Sequence, residues 1–305
     1  VEGAEIVLVD RVSPGLSSTD MEEGSGPGGA PDVRSALEGA LRSRNDVVVV
    51  SVTPYGQGGP AREYKATNLT SFAMGGIMSL TGHPSREPLA TGGNQALALG
   101  GLNAFSAAVT AYYGRLIHGE GDRVDISLQE CAAAMLELYG PGSAATGVGP
   151  SPRRGNHLRA LWGIYPCADG WAGVCCLERQ VPAFFGLLGD PVLAEERFAD
   201  PSLRAENDDE LSAMVYGWFA DKPKAEILDL GPVHRVPFGA VMTPGDLLQS
   251  STLGERGFFD TVRTASGSAC IPGRPFVGLG WRGETLAMAG DDTAGVVRDW
   301  LGGAE

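Results

Sequence analysis

Cysteine and histidine are scarce in this chain. Its 305 residues include five cysteines and four histidines. The cysteines form no Cys-x-x-Cys pair, and the histidines lack the spacing of metal ligands. An odd number of cysteines in a chain of this size favours reduced, mostly buried thiols over a disulfide framework. We therefore expect neither disulfides nor a metal centre, so catalysis would depend on other side chains or on a bound cofactor.

Basic residues and long apolar runs are also few. The chain has 23 basic and 37 acidic residues, a net charge of -14. Nucleic acid and anionic membranes need a positively charged surface, so we expect neither as a main partner. No apolar run reaches the roughly 20 residues of a membrane span, and no signal peptide is recognisable. The sequence predicts a cytoplasmic protein, and its 43% apolar content is sufficient for one large or two medium domains.

Apolar runs typical of buried parallel strands occupy residues 4–10 and 46–53. The first lies so close to Val1, an unusual natural start, that we expect an upstream strand and helix to have been removed. Residues 13–31 are rich in Gly, Ser and Pro and predict a loop. Residues 32–44 predict a short helix with Asp32 as its N-cap.

A glycine-rich loop at 54–60 follows the second strand directly. Such loops present backbone amides to ligands in open α/β sheets. Gly and Pro after a strand are also ordinary turn residues, so the pattern alone does not decide between a binding loop and a turn.

The next segment predicts a helix, a strand and a second helix. Six large apolar residues fall on one face of the first helix: Leu102, Phe105, Val109, Tyr112, Tyr113 and Leu116. Residues 123–127 alternate like a half-exposed strand, and Ser127 with Glu130 forms a capping box for a helix through Leu136. The alternation of strands and helices predicts an α/β fold.

A loop-like stretch at 140–158, with Arg153 and Arg154, resembles a domain linker. Beyond it the sequence predicts a strand that runs into a turn at 163–170 and a return strand at 171–176. It predicts helices at 180–188, 208–220, 223–229 and about 293–301. The chain shows no internal repeat.

Several motifs, in order, resemble the family III CoA-transferases (CaiB/BaiF family), whose members include formyl-CoA transferase, carnitine CoA-transferase and α-methylacyl-CoA racemase. These motifs are the segments 3–11, 51–60, 75–82, 119–130, 165–170, 236–244 and 253–259. The resemblance implies a large Rossmann-like CoA-binding domain, residues 1–150 with 280–305, and a smaller α/β domain, residues 160–265. Segments 140–158 and 265–283 would be the linkers, and two chains would interlock as a dimer.

The resemblance also implies a mechanism in which an aspartate attacks the acyl-CoA carbonyl and then carries CoA as an enzyme-bound thioester. Aligning Gly92 and Gly101 with the family's glycines places this aspartate at Leu97, which cannot be a nucleophile. The racemase branch uses a histidine and an aspartate at positions that correspond to Thr67 and Asn68. Neither is a proton-transfer base near neutral pH, so we do not expect racemisation.

The ligand-binding side of the family pattern is better preserved. Arg11 and Lys65 correspond to cations that contact CoA phosphates in relatives, although either can equally be a solvated surface charge. Tyr55, Gly56 and Gln57 in the glycine-rich loop complete the expected CoA-binding set. The shortened segment at 13–31 implies that part of this pocket is missing.

The amides of Gln95 and Asn94 are the polar groups nearest to the lost aspartate. They could orient a thioester carbonyl, or they could be helix caps. Three carboxylates are weaker substitutes for the nucleophile: Glu130 is expected in a capping box, Asp169 in a turn with Gly170, and Glu178 has no assigned role.

Three functions follow from this pattern. The first is CoA transfer between an acyl-CoA and an organic acid, either by a substitute group or with an aspartate-bearing paralogue, so that the chain would form a homodimer or a heterodimer. The second is a catalytically inactive acyl-CoA-binding subunit. The third is other CoA-ester chemistry, such as dehydration or lyase activity, for which the sequence offers no identifiable base. The implied ligand in each case is coenzyme A as its acyl ester, without a metal.

Overall fold

The structure, a computed structural model, describes residues 6–10, 44–136, 155–264 and 267–278, together with the isolated positions 142, 145, 147 and 153. The predicted helices at 32–44 and 293–301 and the candidate ligand Arg11 lie outside the described residues, apart from Arg44. The described residues up to Gly155 form one compact unit, and those from Asn156 onward form a second.

The first unit is built on a parallel sheet with the strand order β1-β2-β3. Val7 of β1 pairs with Val49 of β2, and Val50 of β2 pairs with Val124 of β3. Its strands are β1 (Ile6–Asp10), β2 (Val48–Thr53) and β3 (Arg123–Ser127), and its helices are α1 (Asn68–Met74), α2 (Gln95–His118) and α3 (Leu128–Ala133). The predicted α/β class is confirmed.

Helix α2 lies against the sheet through small residues. Ala96, Gly100, Ala104 and Ala108 recur every fourth position and are buried, and the last two pack with Val48 and Val50 of β2. The large apolar residues grouped in the sequence lie outside this buried row: Leu102, Phe105, Val109, Tyr113 and Leu116 are all exposed and Tyr112 is half-buried. Small side chains allow the helix and sheet to approach closely, so the narrow Ala/Gly row faces the core.

The two adjacent glycines of α2 give a matched test of this packing. A Cβ at Gly100 would overlap Leu128 Cδ2, whereas a Cβ at Gly101 meets nothing within 4 Å. We expect Gly100→Ala to lower the free energy of unfolding by about 1–3 kcal/mol through overpacking. Gly101→Ala should raise it by roughly 0.5–1 kcal/mol, because alanine is the better helix former. Urea titration of both variants measures the difference, and equal effects would show that α2 packs differently.

The N-terminus of α3, which follows β3 directly, is capped as the sequence predicts, but only in part. The Ser127 side chain accepts a hydrogen bond from the Glu130 N–H, and α3 then ends at Ala133 rather than at Leu136. Within the described residues the Glu130 side chain does not complete the box. The alternating burial of β3 agrees with the prediction of a half-exposed strand.

The second unit contains two antiparallel sheets. One has the order β4-β5-β6-β7 and the other is a β8-β9 hairpin. Strand β4 begins inside the predicted first linker, and β9 lies inside the predicted second linker. The strands are β4 (His157–Arg159), β5 (Trp162–Cys167), β6 (Gly170–Cys175), β7 (Phe238–Ala240), β8 (Phe259–Thr264) and β9 (Gly267–Pro272).

Helices cover this unit and enclose an aromatic core. Phe184, Phe198 and Phe219 are fully buried together with Tyr165. The Tyr165 and Phe219 rings stack with centroids 5.1 Å apart. The helices are α4 (Val181–Leu188), α5 (Glu196–Ala199), α6 (Pro201–Glu206), α7 (Asp208–Ala220), α8 (Lys224–His234), α9 (Pro244–Leu248) and α10 (Ser251–Glu255). The predicted helices at 180–188 and 208–220 are confirmed, and the third continues to His234.

The cysteines, all five of which are described, are free thiols, two of them buried and Cys270 exposed. Within the described ranges no three His, Cys, Asp or Glu residues cluster in a way that could hold a metal ion. Over the same ranges, none of the helices is both long enough and apolar enough to cross a membrane.

Candidate functional site

Leu97, where the family resemblance places the catalytic aspartate, lies at the start of α2. Leu97 lies in the first turn of this helix and is 37% exposed. Asn94 occupies the N-cap position, but its side chain makes no capping hydrogen bond. The Gln95 Nε2 instead donates to the Gly92 carbonyl at 3.1 Å, which braces the preceding turn. Of the two candidate amides, Gln95 is therefore engaged by the backbone, and neither is a helix cap.

The helix is capped by Asn68, from a different element. Its Oδ1 accepts hydrogen bonds from the N–H groups of Ala96 at 3.0 Å and Leu97 at 3.3 Å, and its Nδ2 donates to the Gly93 carbonyl at 3.4 Å. Asn68 is also the first residue of α1, so a single side chain joins the starts of both helices. The capping contacts span 28 and 29 residues, so no local spacing in the sequence predicts them.

Substitution of the two asparagines distinguishes the observed cap from the expected one. We expect Asn68→Ala to lower the free energy of unfolding by about 1–2 kcal/mol, because two N–H groups of α2 lose their acceptor. Asn68→Asp keeps the acceptor and places a negative charge at a helix N-terminus, so its effect should be within about 0.5 kcal/mol. Asn94→Ala should also have an effect within about 0.5 kcal/mol. Thermal unfolding of the three variants tests the assignment, and a larger loss for Asn94→Ala than for Asn68→Ala would contradict it.

Leu97 also lines an apolar groove between α2 and β1. The groove has a volume of about 550 Å³. Among the residues that the structure describes, its lining contains no charged side chain and consists of Ile6, Leu8, Val52, Leu97, Gly101, Ala104, Phe105, Ala108, Val109 and Leu128. A leucine suits this surface, whereas an ionised carboxylate would need solvent or a partner there.

The glycine-rich loop after β2 is held by Asp125 of β3. Gly56 has a φ of 82°, a conformation that favours glycine, and the Gln57 N–H donates to Asp125 Oδ2 at 2.7 Å. The ring of Tyr55 meets Tyr64 edge to face, with centroids 6.2 Å apart. This amide is therefore already bonded to a carboxylate, so a ligand would meet the Gln57 side chain rather than its N–H.

Lys65 follows this loop and is exposed. The structure thus brings Tyr55, Gly56 and Gln57 next to Asp125, and leaves Lys65 accessible to solvent.

The substitute carboxylates have structural partners. Asp169 accepts a hydrogen bond from the Lys224 N–H at 2.8 Å, and Glu178 forms an ion pair with the buried Arg204. Glu130 lies in the first turn of α3, where Ser127 caps the helix. Asp169 and Glu178 belong to the second unit, as do their partners Lys224 and Arg204. Their contacts therefore lie within that unit.

The resemblance implies an α/β fold, and the parallel sheet and helices of the first unit agree with it. The model of CoA-transferase family III matches residues 36–289, so the chain belongs to this family. A CAIB/BAIF family protein from Brucella suis has a similar solved structure, with a TM-score of 0.68 and 26% identity over 84% of this chain and 65% of that protein.

Two curated relatives illustrate the range of similarity. A probable CoA-transferase of Mycobacterium tuberculosis is 30% identical over 249 residues, which cover 78% of this chain and 30% of the relative. A protein of Thauera aromatica named as a subunit of succinyl-CoA:(R)-benzylsuccinate CoA-transferase is 25% identical over 285 residues, 88% of this chain and 69% of the relative. The chain covers 51% to 61% of the length of other curated CoA-transferases at similar identity.

Proposed function

We propose that the chain takes part in CoA transfer between an acyl-CoA and an organic acid, as a transferase enzyme. The match of CoA-transferase family III over residues 36–289 carries this proposal. The fold supports it, because the first unit has a parallel sheet with a glycine-rich loop at the end of β2, where open α/β sheets bind ligands.

Within this function, the first unit would bind the acyl-CoA. Lys65, exposed on a protein of net charge -14, is suited to a CoA phosphate, and Arg11 is proposed for the same role. Tyr55, Gly56 and the Gln57 side chain would line the site beside them. The proposed large domain comprises residues 1–150 and 280–305, and residues 160–265 form the smaller one. We propose that the protein acts in the cytoplasm as a dimer.

The chemistry must use a nucleophile other than the residue at position 97. By the family resemblance Leu97 replaces the catalytic aspartate, and its neighbours Asn68 and Gln95 carry neutral amides that already bond to the backbone. Asn94, whose amide does not cap α2, is the group left to orient a thioester carbonyl. We propose that an aspartate-bearing paralogue in the same assembly supplies the nucleophile.

The position of Leu97 favours a second candidate, a non-catalytic acyl-CoA-binding subunit. Among the described residues, its side chain forms part of an apolar groove lining. A relative named as a transferase subunit is consistent with this role. The two candidates share acyl-CoA binding and differ in whether this chain takes part in the chemical step.

A transfer assay distinguishes these candidates. The purified chain is incubated with a panel of acyl-CoAs and carboxylic acids, alone and with an aspartate-bearing paralogue, and new CoA esters are measured by mass spectrometry. The enzyme proposal predicts a new ester together with release of the donor's acid. Transfer at the same rate by the paralogue alone, with CoA binding by this chain intact, would favour the binding subunit. No new ester under any condition would refute the enzyme proposal.

A further inference from the structure

His157, the first residue of β4, has a buried ring nitrogen without a partner. Its Nε2 is closed off from solvent, and no group among the described residues forms a hydrogen bond with it. The imidazole is enclosed by aromatic rings instead, since its centroid lies 4.5 Å from that of Tyr165 and 5.4 Å from that of Tyr216. Buried polar atoms of native proteins nearly always have a partner, so this nitrogen calls for an explanation.

The sheet side of the imidazole is closely packed as well. Gly163 of β5 pairs with His157 across the sheet, and a Cβ at this glycine would overlap the imidazole Cδ2. Tyr165 is fully buried, and its hydroxyl donates to the carbonyl of Ala160, the residue after β4. Because a glycine and two tyrosines fix the ring, exposure of Nε2 to water requires β4 to move.

The surroundings of the ring disfavour its protonation. A charge on a buried imidazole needs a hydrogen-bond acceptor or a counter-ion. The titratable groups that face it are Tyr165 from β5, and Tyr216 and Asp208 from α7. Burial lowers the pKa of His157 below its ordinary value, although the Ile164 backbone and the Asp208 carboxylate act in the opposite direction. The docked strand therefore favours the neutral imidazole.

The strand that carries this histidine is weakly held. β4 has three largely exposed residues, lies at one edge of the described sheet and has an irregular register between His157 and Arg159. The Arg159 guanidinium lies over the Trp162 ring, 5.7 Å from its centroid. Short, exposed edge segments open at a lower free energy than the core of a fold. β4 begins at the second residue of the second unit, so its release would lengthen the segment that joins the two units.

We propose that His157 makes the attachment of β4 to its sheet dependent on pH. The neutral imidazole packs between Tyr165 and Tyr216 and holds the strand in place. The protonated imidazole leaves this cluster for solvent, and β4 leaves the sheet edge with it. The proposal does not depend on the CoA-transfer activity.

The direction of the pH dependence follows from the lowered pKa of His157. In the released strand the imidazole has its ordinary pKa of about 6.5, so the released state binds more protons below this pH. Docking is therefore strongest above about pH 6.5 and weakens as the pH falls towards the lowered pKa. One proton is involved, so the released fraction should rise by up to about tenfold per pH unit in this window.

Amide hydrogen exchange at single residues tests the attachment. The Ile164 N–H donates to the carbonyl of Asn156, the residue before β4, at 3.0 Å, and this bond requires the docked strand. The Cys175 N–H donates to the Pro237 carbonyl at 3.1 Å on the far side of β6 and is the internal control. Between about pH 7.5 and 5.5, the protection factor of Ile164 should fall at least about threefold relative to that of Cys175.

Two variants separate the histidine from the carboxylate near it. His157→Phe keeps an aromatic ring in the cluster but cannot be protonated, so the protection of Ile164 relative to Cys175 should no longer depend on pH. Asp208→Asn keeps an acceptor for the Ala160 N–H, which Asp208 bonds at 2.9 Å, but removes a charge that favours the imidazolium. In this variant the pH dependence should remain and extend to lower pH.

The titration of the ring itself is a measurement on the wild type. His157 is one of four histidines, and its ring signal in the NMR spectrum should titrate below about pH 6.5. Titration at the ordinary pKa would overturn the proposal, as would a constant ratio of protection between Ile164 and Cys175. A pH dependence that survives in His157→Phe would assign the effect to another group and refute it. Parallel loss of protection at both amides would also refute it, because the whole unit would then respond.

Discussion

Leu97→Asp should raise the rate of CoA transfer by roughly two orders of magnitude or more over the wild-type chain. If position 97 is the family's nucleophile position, as the resemblance implies, a carboxylate there would supply the missing nucleophile and divide one difficult step into two easier ones. Its place in the first turn of α2 favours the ionised form through the helix dipole. The side chain is 37% exposed, so the new charge would remain in contact with solvent.

Leu97→Asn is the control for this prediction. Asparagine matches aspartate in shape and polarity but cannot form an anhydride, so it should transfer CoA no faster than the wild type. The readout is the rate of new CoA ester formation, supported by the intact mass of the protein trapped with its acyl or CoA adduct. Equal rates for the two variants would show that position 97 is not where this chain performs the chemistry.

Phe219→Ala should destabilise the second unit by about 3–5 kcal/mol. Phe219 is fully buried, and its ring centroid lies 5.1 Å from Tyr165, 5.0 Å from Trp218 and 5.9 Å from Phe238. Removing the ring leaves a cavity between three aromatic neighbours that cannot all move inward. Urea unfolding followed by tryptophan fluorescence measures the loss, since Trp218 packs directly on the deleted ring.

Phe219→Leu provides the graded comparison. Leucine restores most of the volume, so the expected loss is about 1.5 kcal/mol or less. Losses of similar size for the two variants would mean that specific ring contacts, rather than cavity volume, dominate at this position. A loss below about 1 kcal/mol for Phe219→Ala would contradict the packing of the aromatic core.

The elements with strong local patterns were predictable from the sequence. The apolar run ending at Thr53, the hairpin around Gly170 and the helix from Asp208 to Ala220 lie where their periodicity and turn residues indicate. In each case local periodicity and tertiary packing favour the same element. The family resemblance, carried by motifs spread along the chain, was confirmed by the match over residues 36–289.

The orientation of α2 was not predictable in the same way. Both its sides are apolar, so periodicity alone does not show which side faces the sheet. The decisive feature is side-chain size, because Gly100 and Ala104 allow close approach to the sheet. The cap from Asn68 was not predictable from the sequence for a different reason. It depends on a contact between α1 and α2 that joins two residues 28 positions apart in the chain.

Binding of CoA to the wild-type chain tests the central claim most directly, because both proposed functions require it. Isothermal titration with an acyl-CoA should show saturable binding in the roughly micromolar to millimolar range typical of enzyme substrates. Lys65→Glu should weaken it, because it reverses the charge that we propose contacts a CoA phosphate, and raising the salt concentration should reduce the difference. No saturable binding of CoA or of any acyl-CoA would contradict the account.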